Sequence, residues 1–169
     1  MNVIFIRHAD CEAAGPEGDA GRRLTDEGRA QARTTAKALQ KLGLQFKLIL
    51  SSPLVRALQT AEVIAEVHAN AKVSAANCLM PSEQFQVDPV KSKLAELVAE
   101  GLPSVALVGH APSLDQCIGQ LVAGVTATGI SLSKAGAACV ELPAKDSPTG
   151  MELRWLMRHD QLVALAGLP

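Results

Sequence analysis

Short aliphatic runs alternate with segments of helical period along most of the chain, and that alternation restricts the fold to an α/β class. The strand-like runs are NVIFI (2–6), FKLIL (46–50), KVSA (72–75) and SVALVGH (104–110). Helical segments lie between them at 24–43, 52–67 and 88–101, and another follows at 112–124. Parallel strands need such crossovers, so the pattern predicts a mostly parallel sheet covered on both faces, a three-layer α/β/α arrangement. AACVEL (137–142) and ELRWLM (152–157), joined across PAKDSPTG (143–150), read as an antiparallel pair at one edge. No repeat or linker divides the sequence, and 169 residues suit one domain over 1–169.

Helix punctuation supports these boundaries. Thr25 is placed to cap the first helix, Asp26 and Glu27 suit its first turn, and Gly43 suits its stop. Ala32, Ala36, Leu39 and Leu42 fall on its apolar face. Ser52 followed by Pro53 reads as the cap of the second helix, with Leu54, Leu58, Ala61 and Ala65 as its stripe. Asp88 before Pro89 repeats the cap signal, and Gly101 closes that helix. In the fourth, Leu114, Cys117, Ile118 and Leu121 face inward.

Composition narrows the function. A net charge of −1 argues against a general grip on nucleic acid or a polybasic membrane anchor. With no Tyr and a single Trp there is little to stack on bases. No apolar run approaches the roughly 18 residues of a membrane span, and no signal-peptide pattern opens the chain. The expected address is the cytoplasm. Cys11, Cys78, Cys117 and Cys139 lack metal-ligand spacing and read as reduced, buried residues. His68 and His159 read as surface residues.

In a sheet of this kind, ligands bind beyond the carboxyl ends of the strands. The first strand ends in Arg7-His8, the second leads into a helix with Arg56 in its first turn, and SVALVG ends in His110. Arg56 taken alone is compatible with a solvated arginine, and His110 alone with a structural histidine. Their coincidence on one sheet edge points to an anion. Arg56 near a helix N-terminus opposes the helix dipole, at a cost of about 0.3–1 kcal/mol that a bound anion removes. Two guanidiniums offer forked donors to phosphoryl oxygens, and the backbone at Ala111 leads into a helix N-terminus. Pro112 stands where a missing N–H matters least. No carboxylate cluster or P-loop accompanies the group, so attack on phosphorus falls to a histidine.

These residues resemble the histidine phosphatase superfamily. RHA (7–9) matches its Arg-His-Gly signature with Ala9 in place of glycine, and RLTDEGRAQA (23–32) resembles the stretch that follows. ILSSPLVRALQTAEVI (49–64) and LVGHAPSL (107–114) match the motifs of its second arginine and second histidine. The short SixA-type phosphohistidine phosphatases are the most similar branch. The resemblance implies the phosphoglycerate-mutase-like fold without a cap insertion, and a metal-independent phosphatase that uses no cofactor. His8 is then the nucleophile, Arg7, Arg56 and His110 hold the phosphoryl group together with Ala111, and backbone N–H donation survives at Ala9. The partner is a phosphohistidine-bearing protein or a small phosphorylated molecule, with inorganic phosphate as product.

The general acid stays open. Glu83 and Asp10 are the candidates; Asp88 is better explained as a helix cap. Imidazole leaves with a pKa of about 6.5, whereas alcohols lie near water's value of about 15.7, so a phosphohistidine substrate scarcely needs an acid. Two other readings remain. One is a small-molecule phosphomonoesterase that uses Glu83 or Asp10. The other is a non-catalytic phosphate-binding module, against which the intact pair His8 and His110 argues.

Overall fold

Alternate residues of β1 (Asn2–Arg7) enter two different cores. Val3 and Phe5 join one cluster, Ile4 and Ile6 the other. The same division runs through β2 (Leu48–Ser51), β4 (Ser104–Gly109) and β5 (Ala137–Glu141). Strands buried on both faces read as continuous apolar runs, which is why the sequence showed no polar alternation. The chain is described here from a computed structural model covering residues 1–16, 18–69, 71–83, 85–126, 129–143 and 150–167.

Six strands form one sheet in the order β3-β2-β4-β1-β5-β6, where β3 is Lys72–Ala75 and β6 is Glu152–Met157. β3, β2, β4 and β1 are parallel, and β5 and β6 add the antiparallel edge. Helices α3 (Asp88–Ala99) and α4 (Ser113–Ala123) cover the Phe5 face. The Ile4 face is covered by α1 (Asp26–Lys41), α2 (Val55–Val67) and α5 (His159–Ala166). This is the expected three-layer α/β/α arrangement. Most of the predicted connection PAKDSPTG, at 144–149, lies outside the described residues. No helix among the described residues is long and apolar enough to cross a membrane.

Several local expectations are corrected. α2 begins at Val55 with Leu54 at the cap position and no side-chain cap; Ser52 is fully buried and bonded elsewhere. Its buried face is Ala57, Ala61, Ile64 and Ala65, while Leu54 and Leu58 are half-buried, because small residues let α2 approach the sheet and α1. Leu42 lies past the last turn of α1 and is exposed. Asp88 is the first residue of α3 rather than its cap, so its carboxylate meets the helix dipole from within the first turn. α5 was not predicted; at eight residues it is too short to show a periodic stripe. His68 is buried at the end of α2, where Nε2 donates to Ala36 O (3.0 Å) and the ring packs on Phe46. His159 is half-buried, with Nδ1 3.5 Å from Thr35 Oγ1. Cys11, Cys117 and Cys139 are buried and free, and Cys78 is half-buried.

The first turn of α1 docks on the chain leaving β1. Thr25 caps the helix as expected, its hydroxyl accepting from Gly28 N–H (2.9 Å) and donating to Asp10 Oδ2 (2.9 Å). Asp10 O in turn accepts from Thr25 N–H (3.2 Å). A Cβ on Gly28 would collide with Asp10 O, a backbone atom that no rotamer change can move. Gly28→Ala is therefore expected to destabilise the protein by about 1–3 kcal/mol, the usual cost of overpacking, read as a lowered urea midpoint.

Candidate active site

β1 passes through α1 to β2, and β4 passes through α4 to β5, on opposite faces of the sheet. β1 and β4 are neighbours, so the crevice between their carboxyl ends is a topological switch point. Arg7 pairs with Gly109, which brings the next residues, His8 and His110, side by side. His8 N–H donates to Gly109 O (2.9 Å), and the two ring centroids are 5.1 Å apart.

His8 is 7% exposed. Its Nδ1 lies 2.8 Å from Ala9 O. A carbonyl only accepts, so the proton sits on Nδ1 and Nε2 keeps a free lone pair. Burial first, then the Arg56 and Arg7 charges, lower the His8 pKa to about 4, against the opposing pull of the Ala9 carbonyl. The ring is neutral near pH 7. Ala9 N–H, whose donation was expected to survive the change from glycine, donates to Thr60 Oγ1 (3.2 Å), whose hydroxyl donates to Arg56 O (2.7 Å). That chain joins the end of β1 to the first turn of α2.

The two arginines are held differently. Arg7 donates through one terminal nitrogen to Leu132 O (2.9 Å). Arg56, only 5% exposed, gives both terminal nitrogens to Asp19, one to its carbonyl (2.8 Å) and one to Oδ2 (2.9 Å). Asp19 also takes a bond from Arg22 (3.0 Å), and the two arginines hold its carboxyl below the usual carboxylate range, Arg22 most strongly. Sequence reading did not single out Asp19. Its loop folds back on itself, with Cys11 bridged to Leu24.

His110 is 3% exposed, and its Nε2 lies 2.9 Å from Ser52 Oγ. The serine already accepts from Leu54 N–H (3.4 Å), and among the described residues the other acceptor within reach of its proton is the Met80 sulfur at 3.9 Å, a weak one. Its hydroxyl therefore donates to Nε2, and the His110 proton sits on Nδ1. Burial, then His8 and Arg56, lower the His110 pKa to about 3.

Among the described residues, four buried side-chain nitrogens lack a partner: Arg7 Nε, Arg56 Nε, His110 Nδ1 and His68 Nδ1. Three of them belong to this one cluster. Buried donors are normally satisfied, so three together mark a place where an acceptor-rich group docks. A sequence profile of the histidine phosphatase superfamily (branch 1) matches residues 3–80. An uncharacterised protein of Picosynechococcus is 34% identical over 145 residues, 80% of this chain and 82% of that one. A solved structure of the protein histidine phosphatase SixA with tungstate is 26% identical, covers 96% of this chain and 99% of that chain, and superposes with a TM-score of 0.82. The chain belongs to the histidine phosphatase superfamily. It is a phosphatase of that superfamily, with the superfamily's fold. The mitochondrial serine/threonine-protein phosphatase Pgam5 of Drosophila ananassae is 34% identical over 88 residues, 52% of this chain and 30% of that longer protein.

The other expected site residues are held in different surroundings. Ala111 is half-buried between His110 and α4. Asp10 lies one residue beyond Ala9, but its carboxylate is tied to Lys134 (2.7 Å) and to Thr25. Those two bonds, the lysine's first, hold it below the usual carboxylate range. Lys134 was not foreseen as part of the centre. Glu83 is exposed and lines a cavity of about 250 Å³ with Pro81, Ser82, Pro112 and Ser113. Ser113 Oγ accepts from Ser82 N–H (3.1 Å), which ties that loop to the start of α4. Among the described residues no cluster of three or more His, Cys, Asp or Glu is arranged to hold a metal.

The depressed histidines make stability depend on pH. The unfolded chain takes up these protons near the ordinary value of 6.5, whereas the native chain waits until about 4 and about 3. Their contribution is therefore fully present above pH 6.5 and declines as the pH falls towards 3. Urea midpoints should drop between pH 7 and 4.5, and the drop should be shallower in His8→Asn and His110→Asn. NMR titration of the wild type should find both rings neutral at pH 6.

Proposed function

We propose that this phosphatase hydrolyses phosphohistidine on a protein, with His8 as covalent nucleophile. The observation that carries the reading is the set of three unpartnered nitrogens, Arg7 Nε, Arg56 Nε and His110 Nδ1, beside a neutral His8. His8 Nε2 attacks phosphorus, a new P–N bond forms, and the P–N bond to the substrate ring, protonated on its other nitrogen, breaks with its electron pair on that ring, which leaves as neutral imidazole. The pentavalent transition state gathers negative charge on its equatorial oxygens, and the arginines and His110 meet it without moving. Water then attacks the phosphorylated His8, releasing inorganic phosphate and restoring the lone pair. The reaction needs no metal or cofactor on this route.

Leaving-group chemistry favours the histidine substrate. Asp10 is paired with Lys134 and Asp19 with Arg56, which makes both poor proton donors. Imidazole, with a pKa of about 6.5, departs without one. The stretch between α2 and β4 is taken up by β3, a 3-10 turn (Asn77–Leu79) and α3, so a single domain without a cap leaves the site open to a protein surface, which a cytoplasmic phosphoprotein would supply. The SixA relative is itself a protein histidine phosphatase. One observation favours a second reading. Glu83 lines the cavity beside Ser113, where an acid for a small phosphomonoester would stand.

The test is a rate comparison in chelated buffer on a phosphohistidine protein, a phosphoserine peptide and sugar phosphates. The phosphohistidine protein should be fastest, and rates on esters should fall steeply with leaving-group basicity. Glu83→Gln should change the phosphohistidine rate little; a shallow ester series that steepens in that variant would instead establish the phosphomonoesterase. Rapid quench should trap an acid-labile phosphoenzyme that disappears in His8→Ala. Binding without a phosphoenzyme would mean a binding module. Arg7→Ala, Arg56→Ala and His110→Ala should each lower kcat/KM by about 10²–10³.

A further inference from the structure

Among the described residues Arg7 has no carboxylate in direct contact, as Arg56 has. Its terminal nitrogen meets the carbonyl of Leu132, a residue fully buried in the Phe5-side core. The same residue's N–H donates to Asp115 Oδ1 (3.0 Å), on the first turn of α4. Carboxylate, peptide and guanidinium thus form one hydrogen-bonded line. We propose that Asp115 is a positioning residue that orients Arg7 for the phosphoryl group through the Leu132 backbone.

The geometry gives Asp115 a specific task. The segment through Leu132 is crossover chain between α4 and β5, with no ladder of its own at that point. Without Asp115, the Leu132 N–H would be a buried donor with no partner, and the carbonyl that steers Arg7 would lose its anchor. The bonds also polarise one another, since a carboxylate on the N–H strengthens the carbonyl as an acceptor. A direct Asp115–Arg7 ion pair would orient the guanidinium but would also occupy its fork and offset its charge. An interposed peptide fixes one edge and leaves Nε and the remaining nitrogen for the anion. Asp115 also sits five residues after His110, so the line couples the element that carries His110 to the side chain beside His8. Burial raises the Asp115 pKa, opposed first by the Leu132 N–H bond and then by the Arg7 charge, in keeping with a half-buried carboxylate near the guanidinium.

This inference rests on the phosphoryl-site reading above, and vanadate tests the two separately. Calorimetry should show tight vanadate binding by the wild-type protein. If the wild type binds none, the phosphoryl site itself is wrong. Given binding, Asp115→Ala should weaken it by about tenfold, the order expected when one preorganised donor is loosened. Asp115→Asn keeps an acceptor for Leu132 N–H and should stay within about threefold of wild type. The 15N–1H signals of the two buried Nε–H groups, assigned by their loss in Arg7→Ala and Arg56→Ala, separate positioning from general damage. Asp115→Ala should shift or broaden the Arg7 signal and leave that of Arg56 in place. Unchanged vanadate affinity in Asp115→Ala would overturn the proposal. So would an Asn variant as weak as the Ala variant, or equal disturbance of both arginine signals.

Discussion

The parallel pairing of β1 with β4 sets the rest of the molecule. Its register places Arg7 against Gly109, and the next residue on each strand is then a histidine with nowhere to go but the sheet edge. Both strands are buried on both faces, so a slip of one residue would exchange the contents of the two cores and is strongly opposed. Chemistry that requires in-line approach to phosphorus is therefore anchored to the least deformable part of the fold. The helices that leave these strands on opposite faces open a crevice at the strands' carboxyl ends.

Charge in that crevice is controlled by distance as much as by number. Two arginines and Lys134 lie close enough to depress His8, yet each of the three cations is held differently. Lys134 is taken by Asp10, Arg56 by Asp19, and Arg7 by a carbonyl. Burial first, and the positive field after it, keep the imidazoles unprotonated, which leaves His8 Nε2 a free lone pair at neutral pH. Without burial and that field, a histidine pair 5.1 Å apart would titrate in the physiological range and spend part of its time as an acid.

What could be read from the sequence was whatever local contrast announces. Arg7, His8, Arg56 and His110 stand out because each interrupts an apolar run or a helix start with the wrong residue for a core. The sheet and four of its helices follow from alternation and capping. Partners across the chain left no such mark. Asp19 meets Arg56 across 37 positions and Lys134 meets Asp10 across 124, and both pairs look like ordinary surface charges until the loops are folded. Ser52 was misread for a related reason: serine before proline is a capping signal, but the fold buries the hydroxyl against His110 instead. His68 followed the same course, since nothing nearby in sequence foretells the carbonyl of Ala36 or the ring of Phe46.

The three unpartnered nitrogens also have a thermodynamic side. No described protein group accepts from these buried nitrogens, and a tetrahedral oxyanion docked on them, as proposed above, would do so; the product of turnover is such an anion. With the proposed phosphate site, heat resistance would rise with the phosphate concentration around the protein, by mass action on the native state. A substitution that fills these donors internally would give a hardier protein and a poorer catalyst, the two properties being drawn from the same atoms.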